Sequence, residues 1–142
     1  MRVSQILTTK GDAVFTASPQ DTVGAICALL HARRVGAMVI MEGDRLAGIV
    51  SERDIVRAVA EEGASSLQRP ISAVMTTEVY LAALDDRVDT LLEKMTDRRI
   101  RHLPVWDSGK LLGIVSIGDL VKSKISEVEA EADGLKAYIA AG

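Results

Sequence analysis

The sequence predicts an α/β (α+β) chain of two related repeats, each a small three-stranded sheet with helices packed on it, plus an extended C-terminal helix. Three observations predict this. Gly48-Ile49-Val50-Ser51-Glu52-Arg53-Asp54 returns as Gly113-Ile114-Val115-Ser116-Ile117-Gly118-Asp119, sixty-five positions later. The same offset relates Asp21 to Asp86, Val23 to Val88, Arg33-Arg34 to Arg98-Arg99 and Leu46 to Leu111, and an offset of sixty-eight relates Ser4, Thr8 and Thr9 to Ser72, Thr76 and Thr77. Within each copy, stretches of helical apolar spacing alternate with short β-branched runs. The chain then closes on Val121, Ile125, Val128, Ala132, Leu135 and Ile139, a heptad-like stripe. A repeat this long is about half an ordinary domain, so two copies complete one pseudo-symmetric fold.

In the first copy Val3–Leu7 reads as a short helix or turn and Ala13–Thr16 as a short strand. Ser18-Pro19-Gln20-Asp21 reads as a turn that starts a helix, because Ser and Asp accept from free helix N–H groups and Pro fits the first turn. Val23, Ile26, Leu29 and Leu30 give that helix, Thr22–Arg34, one apolar face, and Arg33-Arg34 close it at the negative end of its dipole. Strands Ala37–Met41 and Arg45–Val50 flank a Gly43-Asp44 hairpin signal. Ser51 then caps a helix through Ile55, Val56 and Val59. The second copy repeats the order: Ile71–Met75 opens it, followed by strand Val79–Leu81, helix Asp86–Arg99, strands His102–Trp106 and Lys110–Val115, and a helix capped by Ser116. The divisions expected are repeat 1 over 1–63, a linker over 64–70, repeat 2 over 71–125 and a helical extension over 126–142. The terminal stripe suits a helix laid on its own domain or one packed on a second subunit, and Gly134 is a place for a bend or fraying.

Composition narrows the function. The chain has 142 residues, 48% of them apolar, enough for a real core, and that core is aliphatic because aromatics are only 3%. A formal charge of −3 argues against nucleic acid as the main partner. The single Cys27 sits in an apolar run and reads as a packing residue suited to a reducing compartment. No targeting segment or membrane-spanning stretch is visible, so a cytoplasmic protein is expected. His31 and His102 make no metal-ligand spacing, and no Walker loop or dinucleotide fingerprint occurs. No metal site and no catalytic constellation is predicted, so the chain is not read as an enzyme.

The repeated Gly-Ile-Val-Ser-x-x-Asp carries the chemistry. A strand ends, a helix begins, and the free N–H groups of that helix favour an anion. Ser51 or Ser116 stands at the mouth, and Asp54 or Asp119 lies one turn on. A hydroxyl and a carboxylate so placed suit a vicinal diol such as ribose. The same spacing equally describes a capping box.

Together with Arg101-His102-Leu103-Pro104-Val105 and the order of elements, this doubled motif resembles a tandem pair of CBS (cystathionine β-synthase) domains over about residues 3–125. The resemblance implies two repeats packed with pseudo-twofold symmetry. It implies two clefts between them for an adenine nucleotide: AMP, ADP or ATP, with NAD(H) or S-adenosylmethionine as further candidates. The family pattern places Ser51 and Asp54 in one cleft, completed by Thr76, Thr77, Val79 and Arg101–Pro104. It places Ser116 and Asp119 in the other, completed by Thr9, Lys10, Asp12, Ala13 and the run Val35, Gly36, Ala37, Met38. Arg53, with Arg101 and His102 near, suits phosphates in the first cleft. Gly36–Val39 lacks the His-x-Pro of His102–Pro104, so the clefts are expected to differ. The function implied is a regulatory sensor acting on an unknown protein partner, commonly as a homodimer through its helices. The alternative is a constitutive structural homodimer with vestigial clefts.

Overall fold

The computed structural model describes residues 1–11 and 14–141. In chain order these form α1 (Val3–Lys10), β1 (Thr16–Ala17), α2 (Val23–Arg33), β2 (Ala37–Glu42), β3 (Arg45–Ser51), α3 (Glu52–Glu62), short 3-10 turns at Gly63–Gln68 and Ile71–Ala73, α4 (Val88–Arg98), β4 (His102–Asp107), β5 (Lys110–Ser116) and α5 (Ile117–Ala141). They gather into two units whose bounds differ from those of the sequence repeats. One unit is Phe15–Val79; the other combines Met1–Val14 with Tyr80–Gly142. The opening segment of each repeat is thus packed with the body of the other.

Matching hydrogen bonds fix this exchange. In the Phe15–Val79 unit the N–H of Ile71 donates to the Asp21 carbonyl (2.7 Å), that of Ser72 to Pro19 (3.1 Å) and that of Val23 to Arg69 (2.9 Å). In the other unit Val3 donates to Asp86, Ser4 to Leu84 and Val88 to Met1, each at 3.0 Å. The burial follows suit. Ile71 and Val74 join Val23, Ile26, Leu30, Met38, Ile40, Val50 and Ile55 in one core. Val3, Ile6 and Leu7 join Val88, Leu91, Met95, Leu103, Val105, Val115 and Leu120 in the other.

Local chemistry sets the element ends. Asp21 does not cap α2; its carboxylate accepts from the Ser18 N–H (2.9 Å), and Thr22 caps instead, accepting from the Ala25 N–H (3.1 Å). Helices α2 and α4 end on Arg34 and Arg99, both in the left-handed region at φ 54° and 53°. The next amides, Val35 and Ile100, reach back to the carbonyls of Leu30 and Met95, as in a Schellman end. The hairpin β2–β3 turns at Gly43, and β4–β5 turns at Ser108-Gly109, where both φ values are positive.

The short strands lie later than their propensities indicate. β1 is Thr16–Ala17, parallel to Val39–Ile40 of β2. In the second copy Val79–Leu81 forms no strand; Ala82 alone makes a parallel bridge to Val105, leaving β4–β5 a two-stranded sheet. The buried pairing positions are Ala17 and Ala82, 9% and 2% exposed, where a small side chain fits against the core. Val14, Phe15, Val79 and Tyr80, the β-branched and aromatic neighbours that favour strand, lie outside the ladder. Helix α5 runs unbroken through residues 126 and 134.

The close approach of each arriving segment explains the repeated glycine. Ile49 and Thr76 exchange both backbone hydrogen bonds, N–H to carbonyl at 2.9 and 2.8 Å. A Cβ on Gly48 would lie 2.8 Å from the Thr76 carbonyl oxygen, whereas one on Gly113 would meet only the end of the Leu7 side chain at 2.9 Å. Gly48→Ala is therefore expected to cost about 1–3 kcal/mol of stability, and Gly113→Ala distinctly less because Leu7 can change rotamer. Paired thermal or urea unfolding curves measure both. Equal losses would show that the Thr76 backbone yields as easily as a side chain.

Candidate functional site

Each Gly-Ile-Val-Ser-x-x-Asp stretch spans a strand end and a helix start, β3–α3 and β5–α5. The capping chemistry expected of Ser-x-x-Asp is present. The Ser51 N–H donates to Asp54 Oδ2 at 2.9 Å, and the Ser116 N–H to Asp119 Oδ2 at 2.9 Å. The Asp119 N–H in turn donates to Ser116 Oγ at 3.1 Å. The first amide of each helix is also satisfied, Glu52 by the Gly36 carbonyl (3.0 Å) and Ile117 by the Arg101 carbonyl (2.8 Å). Part of the donor array that a bare helix start would offer an anion is therefore used within the fold.

What remains is the carboxylates, and here the two copies differ. Asp54 is buried, its side chain 7% exposed. Its Oδ2 also accepts from Ser51 Oγ (3.2 Å), and its Oδ1 accepts from Arg57 (2.9 Å) and Thr76 Oγ1 (3.3 Å). Both oxygens are committed. Asp119 is 25% exposed and pairs with Lys10, whose Nζ donates to Oδ2 at 2.6 Å and to the Ile114 carbonyl at 2.8 Å. The Lys10 ammonium and the Ser116 N–H both fall on Oδ2. Burial pushes the Asp119 carboxyl up, but the Lys10 ammonium and the Ser116 N–H outweigh it and hold the group below the ordinary carboxylate range.

Of the residues expected around the motif, Thr76 reaches Asp54 and Lys10 reaches Asp119, each from the segment exchanged between repeats. Thr9 is exposed, and its hydroxyl donates to the Gln5 carbonyl of its own helix. Thr77 is exposed and Val79 half-buried in the Asp54 unit, where Arg53 is an exposed residue of α3. Val35 and Gly36 are half-buried, and Ala37 and Met38 are buried in β2, in the unit opposite to Asp119. Arg101 is exposed, His102 half-buried and Pro104 buried at β4, in the unit opposite to Asp54. Asp12 and Ala13 lie outside the described residues. Arg57 was missed by the sequence reading, although its position three residues after Asp54 on one helix was a usable signal.

Val35 and Gly36 also line an open groove of about 890 Å³ between α2 and α3, with Cys27, Leu30, His31 and Ile55, apart from Ser51 and Asp54. Burial pushes the Cys27 thiol up, as suits a packing residue. Among the described residues no cluster of His, Cys, Asp and Glu could hold a metal ion, and no helix is long and apolar enough to cross a membrane.

A doubled strand–Ser–helix–Asp unit with exchanged opening segments defines a pair of CBS domains. The chain belongs to the CBS domain family, whose model matches residues 3–61 and again 71–126. The mitochondrial CBS domain-containing protein CBSX3 of Arabidopsis thaliana is 34% identical over 99% of this chain and 72% of its own. The structure of a CBS-domain containing protein from Agrobacterium tumefaciens is 42% identical, with a TM-score of 0.85 over 87% of this chain and 99% of that one. A Pyrobaculum aerophilum CBS domain protein complexed with AMP is 30% identical, with a TM-score of 0.73 over 84% and 89% of the two chains. The CBS domain pair of protein MJ0100, in complex with 5'-methylthioadenosine and S-adenosylmethionine, is 26% identical, with a TM-score of 0.78 over 89% and 98%.

The Lys10–Asp119 pair has a pH signature. A carboxyl with a lowered folded pKa contributes stability that is present above its unfolded value, ~3.9, and is lost as pH falls through the folded value. Lys10→Met removes the main opposing charge, so the Asp119 carboxyl should titrate higher in the variant. The parent should then lose more stability than Lys10→Met between pH 5 and pH 3. Carboxyl NMR titration and denaturant curves at those two pH values check both statements.

Proposed function

We propose that this chain is a regulatory module that binds an adenosine-containing nucleotide, with Asp119 as the ribose-diol acceptor, and passes the state of that site to a partner protein. One observation carries the reading: a partly exposed carboxylate, aligned by its own helix start, takes the Lys10 ammonium and the Ser116 N–H on one and the same oxygen. A ribose diol presents two donors, and an unprotonated carboxylate is an acceptor-only partner for them. Ser116 lies beside the carboxylate, and Lys10 hangs on a flexible stem that can turn from Asp119 to a ligand phosphate. The complexes of related CBS proteins with AMP and with S-adenosylmethionine and 5'-methylthioadenosine support the adenosine class. The choice among AMP, ADP, ATP, NAD(H) and S-adenosylmethionine, a cytoplasmic setting, and a homodimer as the working unit all belong to the same proposal. So does the assignment of Arg53, Thr77, Val79, His102 and the other positions named from the family pattern.

Asp54 favours a second reading for its own half. Its carboxylate is saturated by Ser51, Arg57 and Thr76, so a diol would have to displace an ion pair to bind there. On this reading one site senses and the other serves the fold; at the limit both are vestigial and the chain is a structural homodimer.

Thermal unfolding against AMP, ADP, ATP, NAD, NADH, S-adenosylmethionine and GTP decides between them. A ligand at one hundred times its Kd adds about 2.7 kcal/mol, a rise of several degrees in Tm. The expected result is a shift with adenosine ligands and none with GTP. By calorimetry Asp119→Asn should weaken binding at least about tenfold, the loss of one charged hydrogen-bond acceptor, and Asp54→Asn should weaken it less. Lys10→Met should weaken AMP more than adenosine. No shift with any nucleotide would favour the structural homodimer.

A further inference from the structure

The C-terminal helix α5 presents two faces of opposite character. Leu120 and Ser123 are buried in its own unit, and Glu127 lies 3.7 Å from the N-terminal ammonium. Val121, Ile125, Val128, Leu135 and Ile139 are between 42% and 67% exposed, although all are large and apolar. From Val128 to Ala141 every residue is exposed, and this part lies beyond the family match, which ends at 126. A helix that keeps such a stripe in water over its last turns gains nothing from it unless another surface covers it.

The spacing assigns the heptad. Ile125, Ala132 and Ile139 take the a positions and Val121, Val128 and Leu135 the d positions. Leu120 and Ser123 then fall at c and f, the far side, so the register agrees with what α5 buries in its own unit. The flanking g positions are Lys124, Glu131 and Tyr138, and the e positions are Lys122, Glu129 and Lys136. In a parallel in-register pair, g contacts the e position five residues on in the other helix. That places Lys124 against Glu129 and Glu131 against Lys136, opposite charges in both cases and twice each by symmetry. An antiparallel pair that matches the same core layers brings Glu129 against its copy and Glu131 against its copy, like charges in both cases. Lys124 already lies 3.0 Å from Asp89 at its own helix α4, and an ammonium has donors enough for both carboxylates.

We infer that α5 is the dimerisation element of this chain and that it pairs in parallel, in register, with α5 of a second copy. The inference rests on the homodimer part of the proposed function and names its surface and orientation. It is independent of what Asp119 binds.

The test uses the full chain with Cys27→Ser and Ala132→Cys. Ala132 is exposed, so the new thiol leaves the core intact. Under mild oxidation the expected result is near-complete conversion to a disulfide dimer, since equivalent a positions face each other only in a parallel pair. Mixing it with Cys27→Ser/Val128→Cys should give no preference for the mixed disulfide. In light scattering of the otherwise native chain, Glu131→Lys should weaken the dimer about tenfold, and Glu131→Lys/Lys136→Glu should restore it. A chain that stays monomeric would overturn the inference, as would a preferred mixed disulfide, which marks an antiparallel pair. A dimer that neither cross-links at 132 nor responds to Glu131→Lys would also overturn it, placing the interface elsewhere. Nucleotide-dependent Tm on the same samples reports separately on the Asp119 site.

Discussion

An aspartate one turn into a helix does three jobs in each half of this molecule. It holds the end of a strand through the Ser51 or Ser116 amide, it fills the start of α3 or α5, and it receives a side chain from the segment exchanged between repeats. Strand, helix and exchanged segment meet at one carboxylate. The cores on either side depend on that exchange, because Ile71 and Val74, or Val3, Ile6 and Leu7, are buried only where those segments dock.

Duplication copied the frame but not the occupants. Thr76 and Arg57 saturate Asp54, whereas Lys10 pairs with Asp119 on one oxygen. Lys122 stands where Arg57 stands in the first copy. A neutral hydroxyl and an arginine close the first carboxylate off from solvent; a flexible lysine leaves the second half-open. The same backbone thus supports a structural cap in one half and a candidate recognition group in the other. If the proposed acceptor role holds, a ligand on Asp119 would act on the same carboxylate that caps the start of α5.

Much of this was legible in the sequence, for particular reasons. The Gly-Ile-Val-Ser-x-x-Asp repeat fixed the β3–α3 and β5–α5 junctions because the motif itself carries the strand, the cap and the helix. The first hairpin followed from Gly43-Asp44, and the second from the repeat. The short strands did not, because Ala17 and Ala82 pair where size matters more than β propensity. The packing partner of α1 is a long-range matter that no local pattern reports; only the family resemblance brought Lys10 toward Asp119. The saturation of Asp54 by Arg57 was readable from spacing alone, but its consequence depends on the burial of Asp54, which the spacing does not give.

The most direct test of the account is the carboxyl carbon resonance of Asp119, followed by NMR while AMP is added. A saturable shift is predicted at Asp119 and little movement at Asp54, because both oxygens of the buried Asp54 are already hydrogen-bonded. Saturable AMP binding with Asp119 unmoved, or with Asp54 alone moved, would contradict it.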